Sequence, residues 1–162
     1  MYAKRQMLLT VSAVLAAGVM VAGTGVHSAG AEDVVPESDL AHHGHVSLTD
    51  GRLRISLVST NLGPRGVADS TARLALSTPL AGAQSLPHGC LRSGEREVLC
   101  TTGPLRANGA GYRRVLHLRT ADEQDEVIVT VGTRWNGGVP DPDTGNHEHD
   151  VLVPATGDPY AF

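Results

Sequence analysis

Aromatic side chains are scarce in this chain: one Trp, three Tyr and one Phe among 162 residues. Beyond the opening segment they are Tyr112, Trp135, Tyr160 and Phe162, and no two fall on one strand as a stacking platform for a sugar. Lysine is rarer still, with Lys4 alone against twelve arginines. Two cysteines are too few for a disulfide-dense scaffold or a thiolate metal cluster. No G-x-S-x-G elbow, glycine-rich phosphate loop or H-E-x-x-H helix is present, so the common signatures of hydrolases, nucleotide enzymes and zinc proteases are missing. No segment after residue 31 shows a capped apolar period of 3.6, and none is long and apolar enough to span a bilayer. There is no Asn-x-Ser/Thr sequon.

The opening residues read as an export signal. Met1–Gln6 holds Lys4 and Arg5, Met7–Ala22 carries no charge, and Ser28-Ala29-Gly30-Ala31 places small residues where a signal peptidase cuts. Cleavage before Glu32 is expected; an uncleaved anchor is the alternative, weakened by Gly18, Gly23 and Gly25. No cysteine lies near the cut to carry a lipid. Removing residues 1–31 leaves 131, enough for one domain. It also takes Lys and Arg from 13 to 11 against 17 Asp and Glu, a net charge of −6. That balance argues against nucleic acid and anionic membrane surfaces as partners. Arginine-for-lysine usage with abundant Ala and Gly fits a GC-rich, actinobacterial coding sequence.

Cys90 and Cys100 both fall in the exported part, where two cysteines in a small domain pair. Folded as a hairpin, the segment sets Cys90 opposite Cys100, Leu91 opposite Leu99, Arg92 opposite Val98 and Ser93 opposite Glu97. Gly94-Glu95-Arg96 is left as the loop. Opposed antiparallel residues lie about 4.5–5.5 Å apart at Cα, which suits a disulfide.

Glu32–Ala41 is acidic and aperiodic, and residues 32–44 read as a flexible arm before a domain over 45–162. From there the period is two. Ile55 and Leu57, Leu74 and Leu76, Leu116 and Leu118, and Val129 and Val131 mark the inward faces of four strands. Arg52, Arg54, Arg113, His117 and Arg119 alternate outward. Turn clusters such as Thr49-Asp50-Gly51, Asn61-Leu62-Gly63-Pro64 and Asn136-Gly137-Gly138 separate the runs. Seven or eight short strands at this spacing mean one all-β domain, either a sandwich or a barrel.

The segment Thr60-Asn61-Leu62-Gly63-Pro64 resembles the "TNxGP" signature of bacterial surface domains, the immunoglobulin-like conserved repeats of the domain of unknown function numbered eleven. Gly89-Cys90, Val98-Leu99-Cys100, Gly103-Pro104-Leu105 and Asn108-Gly109 follow in that family's order. Asp141-Pro142-Asp143-Thr144-Gly145-Asn146 is similar to its closing "DPxxxN" loop, although His147 stands where a second Asn is common. The likeness covers roughly residues 45–154 in a single copy, where the family is often found in tandem. It implies an immunoglobulin-like β-sandwich with a surface or extracellular role and no reaction.

The histidines are the chemistry-bearing residues. In extended strands His43 and His45 share one face, as do His147 and His149. First and last strands running in parallel would bring both pairs to one end, where they could bind Zn²⁺, Cu²⁺ or Ni²⁺. The competing reading is a mobile arm and a polar edge. Asp141, Asp143, Asn146 and Asp150 offer oxygens to Ca²⁺, although Pro140 and Pro142 make their loop a stiff turn. The expectation is a secreted, non-catalytic module, without a required cofactor, that engages another protein or a cell-envelope component. An enzyme inhibitor presenting Leu80–His88, or a histidine-based metal binder, is the alternative. N-terminal sequencing of the protein from culture medium should begin at or near Glu32. Its intact mass should be two hydrogens below that of the dithiol.

Overall fold

Alternating branched and polar side chains favour pleated, half-buried strands. The computed structural model, which describes residues 35–162, contains nine of them. The expected signal, residues 1–31, lies outside the described residues. The strands are β1 (Leu40–Thr49), β2 (Arg52–Asn61), β3 (Thr71–Leu76), β4 (Cys90–Arg92), β5 (Glu97–Thr101), β6 (Tyr112–Arg119), β7 (Glu126–Trp135), β8 (His149–Pro154) and β9 (Tyr160–Ala161). One 3₁₀ turn, Thr144–Asn146, precedes β8. A four-stranded sheet in the order β6-β2-β1-β9 packs on a five-stranded sheet in the order β4-β5-β3-β7-β8. Every neighbouring pair is antiparallel, so the domain is an all-β sandwich with nine strands where seven or eight were expected.

Asp50 and Gly51 join β1 to β2, both at positive φ (48° and 66°), the conformation that Asp-Gly accepts in a two-residue hairpin. The eight leucines, isoleucine and valines assigned inward from the period of two are all buried in one cluster, joined by Val46, Leu48, Val98, Val127, Val151 and Val153. The cysteine hairpin also forms in the expected register, with Cys90 opposite Cys100, Leu91 opposite Leu99 and Arg92 opposite Val98. Its disulfide ties β4, an edge strand, to β5.

Two expectations fail. First and last strands do not run in parallel: β1 pairs with β2 and β9, both antiparallel, and β8 is an edge of the other sheet. Nor is the stretch up to residue 44 a loose arm. β1 starts at Leu40, and Ser38, Leu40, Ala41 and His42 are buried.

The reason is a set of hydrogen bonds from distant parts of the chain. Asn61, at the end of β2, is 1% exposed, which leaves its amide only protein partners. Its Oδ1 accepts from the Asp39 amide (3.0 Å) and the Gly63 amide (3.1 Å), while its Nδ2 donates to the Arg65 carbonyl (2.7 Å). From the other side, Asp141 Oδ2 accepts from the Leu40 amide (2.9 Å), and Asn146 Nδ2 donates to Asp39 Oδ1 (2.5 Å). Ser38 donates its amide to the Pro140 carbonyl (2.8 Å). A Cβ on Gly63 would lie 2.6 Å from the Asp39 nitrogen, so only glycine lets the segment approach. Leu40 then seals a second small core with Val67, Leu105 and Val139.

Replacing Asn61 by Ala strips the partner from the buried Gly63 amide and from the part-buried Asp39 amide and Arg65 carbonyl, and a buried group left unsatisfied costs about 1–3 kcal/mol. Asn61→Ala should therefore destabilise by roughly 3 kcal/mol in urea unfolding. Leu62→Ala, at an exposed neighbour, should stay within about 0.5 kcal/mol.

Candidate functional site

Alternation along β1 turns Leu40, His42, Gly44, Val46 and Leu48 toward the other sheet and His43, His45 and Ser47 away from it. His42 is thus carried into the sandwich. Its ring meets that of His147 edge-on, with centroids 6.2 Å apart, and its Nε2 is 3.0 Å from Thr133 Oγ1 on β7. His147 Nε2 is 4.0 Å from Asp141 Oδ2, and both side chains are buried. His149 places Nε2 3.2 Å from the Asn146 carbonyl and tilts its ring on Phe162 at 5.8 Å. Four buried polar atoms have no partner among the described residues: Nδ1 of His42, Nδ1 of His147, Oδ1 of Asp141 and Oδ1 of Asn146. All four belong to this cluster. Burial, reinforced by the neighbouring imidazoles of His147, His149 and His43, lowers the His42 pKa from 6.5 to about 4.

The two histidine clusters do meet, but through His42 and not through the pairs assigned from spacing. His43 and His45 stand on the outward face of β1, with the sheet between them and His147, so His43, His45, His147 and His149 do not form one ligand set. Among the described residues no three His, Cys, Asp or Glu side chains are grouped to hold a metal ion. The oxygens proposed for Ca²⁺ are spread over separate tasks. Asp141 accepts from Leu40, Asp143 Oδ1 accepts from the Gly145 amide (3.2 Å), Asn146 donates to Asp39, and Asp150 Oδ1 accepts from the Thr130 hydroxyl (2.6 Å) on the outer face of β7.

The outer faces of the two sheets differ in charge. On the five-stranded sheet, cations and anions mix. Arg73 Nε donates to Glu97 Oε2 at 2.5 Å and Ser93 Oγ to Glu97 Oε1 at 2.6 Å; these bonds, the serine's first, hold the Glu97 carboxyl below its usual range. A depression of about 740 Å³ there has Arg73 and Arg134 beside Glu97, Glu148 and Asp150.

The four-stranded sheet has no Asp or Glu in any of its strands and five arginines. Four of these, Arg52, Arg54, Arg113 and Arg119, point outward with His43, His45 and His117. Register sets Arg52 directly opposite Arg119 and Arg54 directly opposite His117. None of the four has a carboxylate within ion-pair distance among the described residues. Arg113 reaches only the Ser56 hydroxyl, at 3.4 Å.

Leu80–His88 walls one side of this face. It is a strap along the free edge of β6 and not a projecting loop. Leu80 is buried, and Leu86 packs on the core. The Ala81 amide donates to the Arg119 carbonyl (2.8 Å), and Gln84 Oε1 accepts from the Arg119 amide (3.0 Å). Arg92 holds the strap from the hairpin side by donating to the carbonyls of Ala81 (2.7 Å) and Gly82 (2.8 Å). Between strap and sheet lies a cavity of about 300 Å³ lined by Arg52, Arg54, His117 and Arg119 of the sheet, by Gln84 and Ser85 of the strap, and by the apolar Leu53, Ala83 and Leu118.

No family model matches this chain, and no curated protein is similar to it at a significant level. Solved structures of β-glucosidase 3B from Thermotoga neapolitana, in complex with α-D-glucose and with glycerol, align at 17% and 16% identity with a TM-score of 0.46 in each case. The alignment covers 77% of this chain and 17% of the glucosidase, so the chain spans about a sixth of that protein's length.

The lowered pKa of His42 has a consequence for stability. In the fold the imidazole stays neutral down to about pH 4, whereas in the unfolded chain it takes up a proton below about 6.5. Stability is therefore fully present above pH 6.5 and is lost as pH falls toward 4. The slope is about 1.4 kcal/mol per unit, a total on the order of 3 kcal/mol. Urea unfolding at pH 7.5 and pH 4.5 should show His42→Gln losing about 2–3 kcal/mol less between the two than the unmodified protein.

Proposed function

We propose that this chain is a secreted, non-catalytic β-sandwich module that docks on a cell-envelope component or another protein. The observation that carries the reading is the outer face of the β6-β2-β1-β9 sheet. It sets four unpaired arginines on a framework of antiparallel strands, in a protein whose net charge is −4. A face of one sign on a protein of the other is the arrangement that steers and orients a charged partner. His42 and His147 are buried side chains, so this reading gives them a place in the packing between the elements and assigns them no chemistry.

Two further features agree with an extracellular setting. Cys90 and Cys100 form a disulfide, a bond that persists in oxidising compartments. Among the described residues no helix is long and apolar enough to cross a membrane. The likeness to immunoglobulin-like surface repeats points the same way. In this reading the hairpin disulfide and the Arg92 bonds stiffen the strap that walls the docking face.

The test is sedimentation of the purified protein with washed envelopes of the producing cells across a salt series. Binding that weakens as salt rises, and that Arg54→Glu weakens further, is the expected result. A bound fraction indifferent to both would remove this face from the function.

A further inference from the structure

Opposed like charges on neighbouring strands destabilise a sheet. The four-stranded sheet keeps one such pair, Arg52 with Arg119, beside Arg54 and its partner His117, at the mouth of one cavity. Nothing in the described fold neutralises them: the strands hold no carboxylate, and the strap supplies only Gln84 and Ser85. The arrangement leaves these groups open to an anion that comes from outside.

The same face narrows what that anion belongs to. Interfaces with folded proteins centre on large apolar or aromatic anchors. The exposed large hydrophobic residues of this protein are Val35, Leu62, Leu91, Tyr112, Ile128, Trp135 and Leu152, and none is at an outward position of the four-stranded sheet. Single-stranded nucleic acid is held by stacking bases on large aromatic rings, and no Trp, Tyr or Phe stands at an outward position of the face. What it offers is charge and N–H donors in rows. Each guanidinium presents five donors in a fixed fork. A carboxylate satisfies one fork with its two oxygens, whereas phosphate oxygens accept from several forks at once.

The length of the face matters too. Arg113 lies opposite Val58, six residues along β2 from Arg52, or about 20 Å at roughly 3.3 Å per residue. His43 stands in the same row as Arg113, and His45 stands between that row and the cavity. One anionic group in the cavity therefore leaves the Arg113 guanidinium, and the imidazoles of His45 and His43, for its neighbours along a chain.

We propose that the outer face of the β6-β2-β1-β9 sheet binds a linear phosphate-bearing polymer of the cell envelope. One phosphate is seated in the cavity between Arg52, Arg54, His117 and Arg119, and the chain continues toward Arg113. This rests on the docking-module reading above and names its ligand. The strap contributes through Gln84, whose bonds to the Arg119 backbone fix the cavity wall beside that arginine.

The experiment titrates the purified protein with long-chain inorganic polyphosphate at several salt concentrations. Four arginine–phosphate contacts at about −0.7 each predict a log–log salt slope near −3. The double variant Arg54→Glu/Arg119→Glu should weaken binding at least about tenfold and flatten the slope, while Arg134→Glu, on the other sheet, should leave both unchanged. Arg119→Glu alone sets a carboxylate opposite Arg52, so it should raise the thermal midpoint while weakening binding, which separates lost contact from lost fold. Polyphosphate affinity untouched by the double variant overturns the proposal. So does equal affinity for poly-glutamate, DNA or anionic phospholipid vesicles, which would assign the face to an acidic polypeptide, a nucleic acid or a membrane. Envelope sedimentation of the same variants is scored separately. If the double variant loses the envelope but the unmodified protein ignores polyphosphate, the docking module stands and the phosphate polymer falls.

Discussion

The fold hangs on the seating of Ser38–Leu40. The amide of Asp39 is held by the Asn61 side chain, its carboxylate by Asn146, and the amide of Leu40 by Asp141. These bonds join the end of β2, the entry to β1 and the loop before β8, so both sheets are pinned at one place. Each is at least partly removed from water, where losing a partner is costly. With this segment seated, His42 is delivered between the sheets, Leu40 closes the second small core, and β1 gains the length that makes it a central strand. The stretches that resemble surface-repeat motifs, Thr60–Pro64 and Asp141–Asn146, are the ones that grip the segment, so here their polar residues serve architecture.

Much of this was legible from residue alternation. A period of two identified the inward-facing residues of β2, β3, β6 and β7, and the cysteine hairpin could be registered residue by residue, because turn length fixes pairing locally. Residues 37–44 were not legible, because what orders them is contributed about twenty and a hundred residues away and leaves no hydrophobic trace in the segment itself. The histidine assignment failed for a related reason. Spacing showed which residues share a face, but which face is the inner one depends on where β1 begins, and that was missed. Arg52, Arg54, Arg113, His117 and Arg119 were each read as outward-facing. Their alignment in rows appears only when β2 pairs with β6, some sixty residues later.

Net charge conceals this arrangement. A value of −4 describes a mildly acidic protein, yet the arginines of one sheet face no carboxylate while the other sheet carries intermixed, partly paired charges. The functional reading therefore follows from topology more than from composition. Four outward arginines scattered over a sphere would attract little, but on one rigid sheet they act together. The disulfide hairpin and strap add rigidity at the edge of that sheet where the cavity lies.

The grip on Ser38–Leu40 also sets an order of events. Its contacts run between Asp39 and Asn146, 107 residues apart, and between Leu40 and Asp141, 101 residues apart. Contacts of such separation close late and slow the folding of all-β domains. A chain emerging from its N-terminus meets this constraint in its strongest form. The first strand has its hairpin partner at once, but the Leu40 amide stays unpaired until the loop carrying Asp141 is out. The molecule cannot complete its fold until that closing loop is available to it.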